Sequence, residues 1–210
     1  MLDALNLLVE THATAVWVLP VVVVLAALDG VFPPVPSESV LVALAAIGVS
    51  AHGPNLVLLV AAAGIGAVIG DNLTYTLGRR GCLDRVAGAF GHRFLTATRS
   101  AAASIADRGA PAILAARYVP VGRVAVNLAG GMAAFPRGRF AVLTGVGGLL
   151  WAVYSVAIGA FVGRVIPGGP LAAAAVGVAV ALALGVLVDH LLRRGVAPPT
   201  GSSIRPAHAP

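Results

Sequence analysis

The chain has 210 residues, 59% of them hydrophobic and 10% charged, with a mean hydropathy of +0.95. Soluble domains carry about 25% charged residues, and disordered chains combine low hydrophobicity with high net charge, so neither class fits. The composition predicts an all-α polytopic membrane protein, with ~20 residues for each span.

The 14 basic residues are all Arg and stand against 8 acids, a formal charge of +6. Such a surplus in a membrane protein belongs to cytoplasmic loops. No nucleic-acid partner is expected, because no polybasic run or aromatic platform accompanies the charge. Cys82 is the single cysteine, which leaves no intrachain disulfide and no CxxC pair.

Six apolar stretches follow one another, at roughly 13–28, 38–51, 56–77, 111–134, 140–163 and 170–189. The first lacks a basic flank and a cleavage site and is read as a retained span. The second, about 14 residues, follows Phe32-Pro33-Pro34-Val35-Pro36. At 1.5 Å per residue it is too short to cross ~30 Å, which predicts a re-entrant hairpin over about 30–51. The third carries Gly64, Ala67, Asp71, Tyr75 and Gly78 on one helix face. Small residues there permit close packing and point Asp71 into the bundle.

Residues 79–108 mix Arg with Phe90, Phe94 and Leu95, which predicts an amphipathic segment on the cytoplasmic surface. The fourth stretch is interrupted by Arg117-Tyr118-Val119-Pro120-Val121-Gly122-Arg123. Proline removes a backbone donor and glycine weakens a helix, so a second re-entrant hairpin is expected over about 109–134. Residues 1–195 then form one integral membrane domain, and 196–210, rich in Pro, Ser and Gly, a disordered tail.

Arginine placement separates two topologies. If all six stretches span and 79–108 is cytoplasmic, Arg137, Arg139, Arg193 and Arg194 fall outside. If the second and fourth are re-entrant from opposite sides, eleven arginines are cytoplasmic and only Arg164 is outside, with Arg117 and Arg123 within the membrane. The positive-inside rule favours this second arrangement. It has about four transmembrane helices plus two opposed re-entrant hairpins, and both termini are cytoplasmic. Paired interrupted segments in two halves point to an inverted-repeat transporter with its site near the midplane.

Five ionisable residues remain at or near membrane depth: Asp29, Glu38, Asp71, Arg117 and Arg123. A central Arg costs roughly 2.5–3.5 kcal/mol on insertion scales, so these groups need partners or a wet cavity. They are either structural ion pairs or the site itself. Arg117 and Arg123 flank a Pro-Gly turn and can aim two guanidinium groups at one anion, and guanidinium matches phosphate bidentately. Asn127, on the return arm with Gly130 and Gly131, can line the same substrate site. Glu38 lies in the first turn of a short half-helix, where an acid suits the helix dipole and Ser37 can cap.

Burial favours a neutral acid and a neighbouring Arg favours the carboxylate. That competition makes Asp29 and Glu38 candidate proton carriers, with Asp71 as a third. Pro33, Pro34, Pro36, Pro120 and Gly122 are read as the residues that build the hairpins. The histidines lack ligand spacing, so neither a metal nor a cofactor is expected. HExxH, GxSxG and GxxxxGK[ST] are absent, and no enzyme activity is expected.

At these motifs the chain resembles the DedA family, bacterial members of the SNARE-associated/VTT-domain superfamily. The block Asp29-Gly30-Val31-Phe32-Pro33-Pro34-Val35-Pro36-Ser37-Glu38 resembles the family's acidic-xx-FPPxPSE signature, with Asp at position 29 where the family usually has Glu. Gly70–Gly81 is similar to GDxxxYxLGRxxG, Arg117–Arg123 with Ala129-Gly130 to RxxPxxR…AG, and Trp151, Gly159 and Gly163 to WxxxxxxxGxxxG. The resemblance covers about 20–165 and implies a membrane-potential-dependent lipid transporter of the bacterial cytoplasmic membrane.

Some members resemble flippases of undecaprenyl phosphate, and eukaryotic relatives scramble phospholipids. Carried over by position, it implies that Asp29 and Glu38 couple protons and that Arg117 and Arg123 are essential. The expected partners are a polyprenyl phosphate or phospholipid, protons, and a second copy in a homo-oligomer. The alternatives are a proton-coupled exporter of small cations, a phospholipid scramblase, and a non-transport membrane scaffold.

Overall fold

The computed structural model describes residues 15–32, 35–50, 53–81, 91–109, 111, 113, 120–165, 172, 174–179 and 183. Among the described residues there are helices and no strand. In chain order the elements are α1 (Val18–Asp29), α2 (Ser37–Ser50), α3 (Leu56–Arg79), α4 (His92–Arg108), α5 (Pro120–Met132) and α6 (Arg137–Val165).

Two of these helices, α3 with 24 residues and α6 with 29, are long and apolar enough to cross a membrane. At 1.5 Å per residue they reach roughly 36 and 43 Å, beyond a hydrocarbon core of ~30 Å. By the same rise α1, with 12 residues, and α2, with 14, reach roughly 18 and 21 Å and fall short. The expected span 170–189 lies mostly outside the described residues, as do 82–90 and 114–119.

Local sequence sets the helix starts. Asn55 precedes α3, and its side-chain oxygen accepts the N–H groups of Val57 (2.9 Å) and Leu58 (3.2 Å), two of the donors a helix start leaves orphaned. Pro120 is the first residue of α5, a position where its missing N–H does no harm. The described helix α5 starts within the motif that interrupts the sequence, and Arg123 and Asn127 sit one turn apart on it. Ahead of α2, the N–H of Val40 donates to the carbonyl of Pro36 at 3.2 Å. Pro36 thus takes the capping position for which Ser37 was the sequence candidate, and Ser37 is the first helical residue.

Glycines carry the helix packing. A Cβ on Gly66 or Gly70 of α3 would strike the carbonyls of Val23 or Ala27 of α1. On Gly159 or Gly163 of α6 it would strike those of Val42 or Ala46 of α2. Each short helix therefore lies on a small-xxx-small surface of a long one. Gly78 of α3 meets Leu128 of α5 in the same way, and Gly131 of α5 meets the backbone of Tyr75.

These pairs also fix directions. Val23 lies by Gly66 and Ala27 by Gly70, so α1 runs parallel to α3. Gly145 lies by Val68 and Gly64 by Leu149, so α6 runs antiparallel to α3. Val42 by Gly159 and Ala46 by Gly163 make α2 parallel to α6. The α5 helix is parallel to α3, starting beside Asp71 and ending beside Tyr75 and Arg79.

The sequence predicts a complete span over 13–28, followed by a hairpin at 30–51. Of the first stretch, the described helix α1 begins at Val18, which shares an apolar cluster with Leu59, and ends beside Gly70 and Asp71, well short of the end of α3. From the break after Asp29, α2 returns toward the Asn55 end. The arms of this broken element are α1 and α2, and its tip lies part-way along α3.

The core has two centres. Val18, Val22, Leu41, Ala45, Leu59, Ala63, Ala152 and Val156 join α1, α2, α3 and α6. Nearer the Arg79 end, Tyr75, Phe140, Ile105 and Ala129 join α3, α6, α4 and α5, the Tyr75 and Phe140 rings lying 4.6 Å apart. The apolar side of α4 packs on α5, where Phe94 meets Val124 and Ala125, and Arg99 is exposed.

Candidate functional site

Asp29 ends α1, and the next residue, Gly30, rests on α3. A Cβ at Gly30 would lie 2.8 Å from the Cα of Gly70, and the Thr74 hydroxyl donates to the Gly30 carbonyl at 2.7 Å. No larger residue permits that approach, and it sets the Asp29 carboxylate beside Asp71.

Arg123 of α5 reaches between the two acids. Its Nε donates to Asp71 Oδ1 at 2.9 Å and its Nη1 to Asp29 Oδ2 at 3.1 Å. Asn127, one turn further on α5, donates through Nδ2 to the same Asp71 oxygen at 2.8 Å. The Asp71 side chain is wholly buried, Arg123 is 10% exposed and Asp29 18%. The indole of Trp151 on α6 completes the enclosure, with the guanidinium carbon 6.0 Å from the ring. Removing charges from water is expensive unless each is paired and hydrogen-bonded, and here α1, α3 and α5 each supply a charged partner.

The third guanidinium nitrogen is treated differently. Arg123 Nη2 is buried and has no hydrogen-bond partner among the described residues. Native structures rarely leave such a donor unsatisfied, and one that is deserves a cause.

Around this centre stand the first residues of α2. The Ser37 side chain lies within hydrogen-bonding reach of Asp29. Glu38 pairs with the Tyr154 hydroxyl of α6 and is close enough to Asp29 for their charges to interact. The described charged groups of the cluster are therefore three acids and one guanidinium.

Of the residues expected from sequence, the structure brings Asp29, Asp71, Arg123 and Asn127 into direct contact and sets Glu38 beside them. Pro36 caps α2, while Pro120 and Gly122 form the first turn of α5. Arg117, Pro33 and Pro34 lie outside the described residues. Sequence reasoning placed Trp151 in the WxxxxxxxGxxxG match but not at the site, and gave no role to Thr74 or Tyr154. Thr74 is three residues after Asp71, and Trp151 and Tyr154 are three apart on α6, so each pairing shares a helix face. That spacing was the available signal.

Membrane-length helices around a buried acid–arginine–acid chain define, over the described residues, an all-helical membrane protein. The VTT domain matches residues 35–161, and the chain belongs to that family, the superfamily of its DedA resemblance. Two relatives, from Lactococcus lactis subsp. cremoris and subsp. lactis, are each called an alkaline phosphatase-like protein. Each is 27% identical over 143 residues, 65% of this chain and 66% of the relative. An uncharacterized membrane protein of Synechocystis sp. is 30% identical over 148 residues, 67% of this chain and 65% of the relative. The match thus spans just under two thirds of each of these relatives. No solved structure matches the chain significantly.

Proposed function

We propose that the protein moves a lipid phosphate, such as undecaprenyl phosphate, across the bacterial cytoplasmic membrane at the expense of the proton-motive force. The observation that carries this reading is the Asp29–Arg123–Asp71 chain at the tips of two broken elements. Asp71 is roughly 22 Å from the start of α3 and roughly 12 Å from its end by helix rise, a depth at which ionisable residues mark substrate or proton pathways.

The directions of the helices support it further. The arm α2 returns along α6 toward one end of the molecule, and the arm α5 returns along α3 toward the other. Two opposed broken elements meeting at a charged centre suit alternating access. In this reading Arg123, with Arg117, holds the phosphate, Asn127 orients it, and Asp29, Glu38 and Asp71 couple protons.

Proteoliposome assays of polyprenyl phosphate translocation test it. Arg123→Ala and Arg117→Ala are expected to abolish translocation while the protein still inserts, and normal rates in both would end the reading. Among the described residues three acids surround one arginine, which favours, as the second reading, a proton-coupled exporter of small cations. Proton flux driven by a cation gradient and indifferent to lipid phosphate would select it. Inorganic phosphate measured in the same vesicles separates movement of the lipid from its hydrolysis.

A further inference from the structure

We infer that Asp29 occupies the place of the transported anion on Arg123, and that a phosphate monoester binds by displacing it while Asp71 keeps the arginine in position. The inference rests on the transport reading above for its ligand class, and on the asymmetry of the guanidinium for its mechanism.

The two carboxylates hold Arg123 unequally. Asp71 is wholly buried, takes Nε at 2.9 Å, and is itself fixed by Asn127 at 2.8 Å. Asp29 takes Nη1 at 3.1 Å, is 18% exposed, and is the last residue of α1. Next to that bond lies Nη2, buried and unpartnered among the described residues. A phosphate with two oxygens toward the arginine needs two adjacent N–H donors. Nη2 is already vacant, and Nη1 becomes so when Asp29 withdraws. No such exchange is available on the Asp71 side, because Nε is tied by the better-buried acid.

The charges of the described residues favour the exchange. Asp29 faces Arg123 from α1, Asp71 from α3, and Ser37 and Glu38 stand by from α2. With Asp29, Asp71 and Glu38 ionised, an added anion meets, among the described residues, three negative charges and one positive. At about 4 Å each like charge opposes binding strongly even at an effective dielectric near 20. The bound phosphate therefore replaces the charge of the carboxylate that leaves, and neither occupies Nη1 while the other does.

Trp151 beside the guanidinium provides a reporter. The full chain with Trp17→Phe, in phosphatidylcholine nanodiscs, is titrated with dodecyl phosphate, and separately with inorganic phosphate, while Trp151 fluorescence is followed. Dodecyl trimethylammonium controls for partition of the alkyl chain. Asp29→Asn is expected to bind dodecyl phosphate about tenfold or more tightly than the parent, a factor set by removal of one competing charge. Asp29→Ala, which adds no amide donor, is expected to do the same and serves if the asparagine variant misfolds. Asp71→Asn is expected to weaken binding, because Arg123 loses its anchor. Tightening for dodecyl phosphate alone assigns the site to a lipid headgroup, and equal tightening for both anions assigns it to phosphate as such.

Unchanged or weaker binding in folded Asp29 variants, or no Trp151 response to either anion in any chain, overturns the inference. If the exchange is observed but the parent moves no polyprenyl phosphate, the inference holds and the transport reading falls. If the parent transports but both Asp29 variants bind with unaltered affinity, the transport reading holds and the inference falls.

Discussion

At the scale of single residues, the site is held by unequal bonds whose removal has graded consequences. Asp71→Ala strips Arg123 of its buried partner and leaves Asn127 without its acceptor. Breaking a buried pair from one side costs roughly 3–5 kcal/mol, so this variant is expected to unfold at markedly lower denaturant in detergent micelles. Thr74→Val removes only the hydroxyl that donates to the Gly30 carbonyl. About 1–3 kcal/mol is expected for an acceptor left unsatisfied, and measured unfolding should rank Thr74→Val below Asp71→Ala. Equal losses would mean that the ion pairs contribute nothing beyond one neutral hydrogen bond. The sequence marked the acids and the arginines by their depth in apolar stretches. It could not show that Arg123 is already paired with Asp29 and Asp71, because spacing along α5 says nothing of what α1 and α3 place opposite it.

Elements are positioned by glycines rather than by side-chain interlock. On α3, Gly66 and Gly70 let α1 lie against the backbone, and a Cβ at Gly70 would strike the carbonyl of Ala27. Gly70→Val is expected to push α1 away and carry Asp29 off Arg123, a cost of about 1–3 kcal/mol or more for overpacking. Gly138→Ala, at the start of α6 with nothing within 4 Å of its Cβ, is expected to be neutral. The two are compared by unfolding and by chemical crosslinking between cysteines placed on α1 and α3. The small-residue face with Asp71 was legible from its three- and four-residue spacing, and all of Gly64, Ala67, Asp71, Tyr75 and Gly78 are buried. The break after Asp29 was legible too, from proline. That α1 ends part-way along α3 was not legible, because only contact with α3 reveals where it stops.

Across the whole molecule, these contacts decide which ends share a face. The Tyr75 hydroxyl donates to the Phe135 carbonyl at 2.6 Å, and Arg79 donates to the Tyr75 hydroxyl at 3.0 Å. The last turn of α3 and the first of α6 therefore lie at the same end, so the chain between Arg80 and Pro136 leaves and returns on one side. At the opposite end, Val18 shares an apolar cluster with Leu59, near the start of α3. Outward apolar side chains such as Ile65, Ile69, Val146 and Leu150 suit hydrocarbon between the two ends, where such a surface in water would be a docking or aggregation site. Single cysteines in a Cys82→Ser chain test this arrangement in oriented vesicles. Arg80→Cys and Gly138→Cys are expected to react with a membrane-impermeant maleimide from the same side, the arginine-rich cytoplasmic one. Val16→Cys and Val57→Cys are expected to react from the other. Labelling of positions 80 and 138 from opposite sides would make the segment between them cross the bilayer an odd number of times. The two broken elements would then no longer face one another across Asp29 and Arg123.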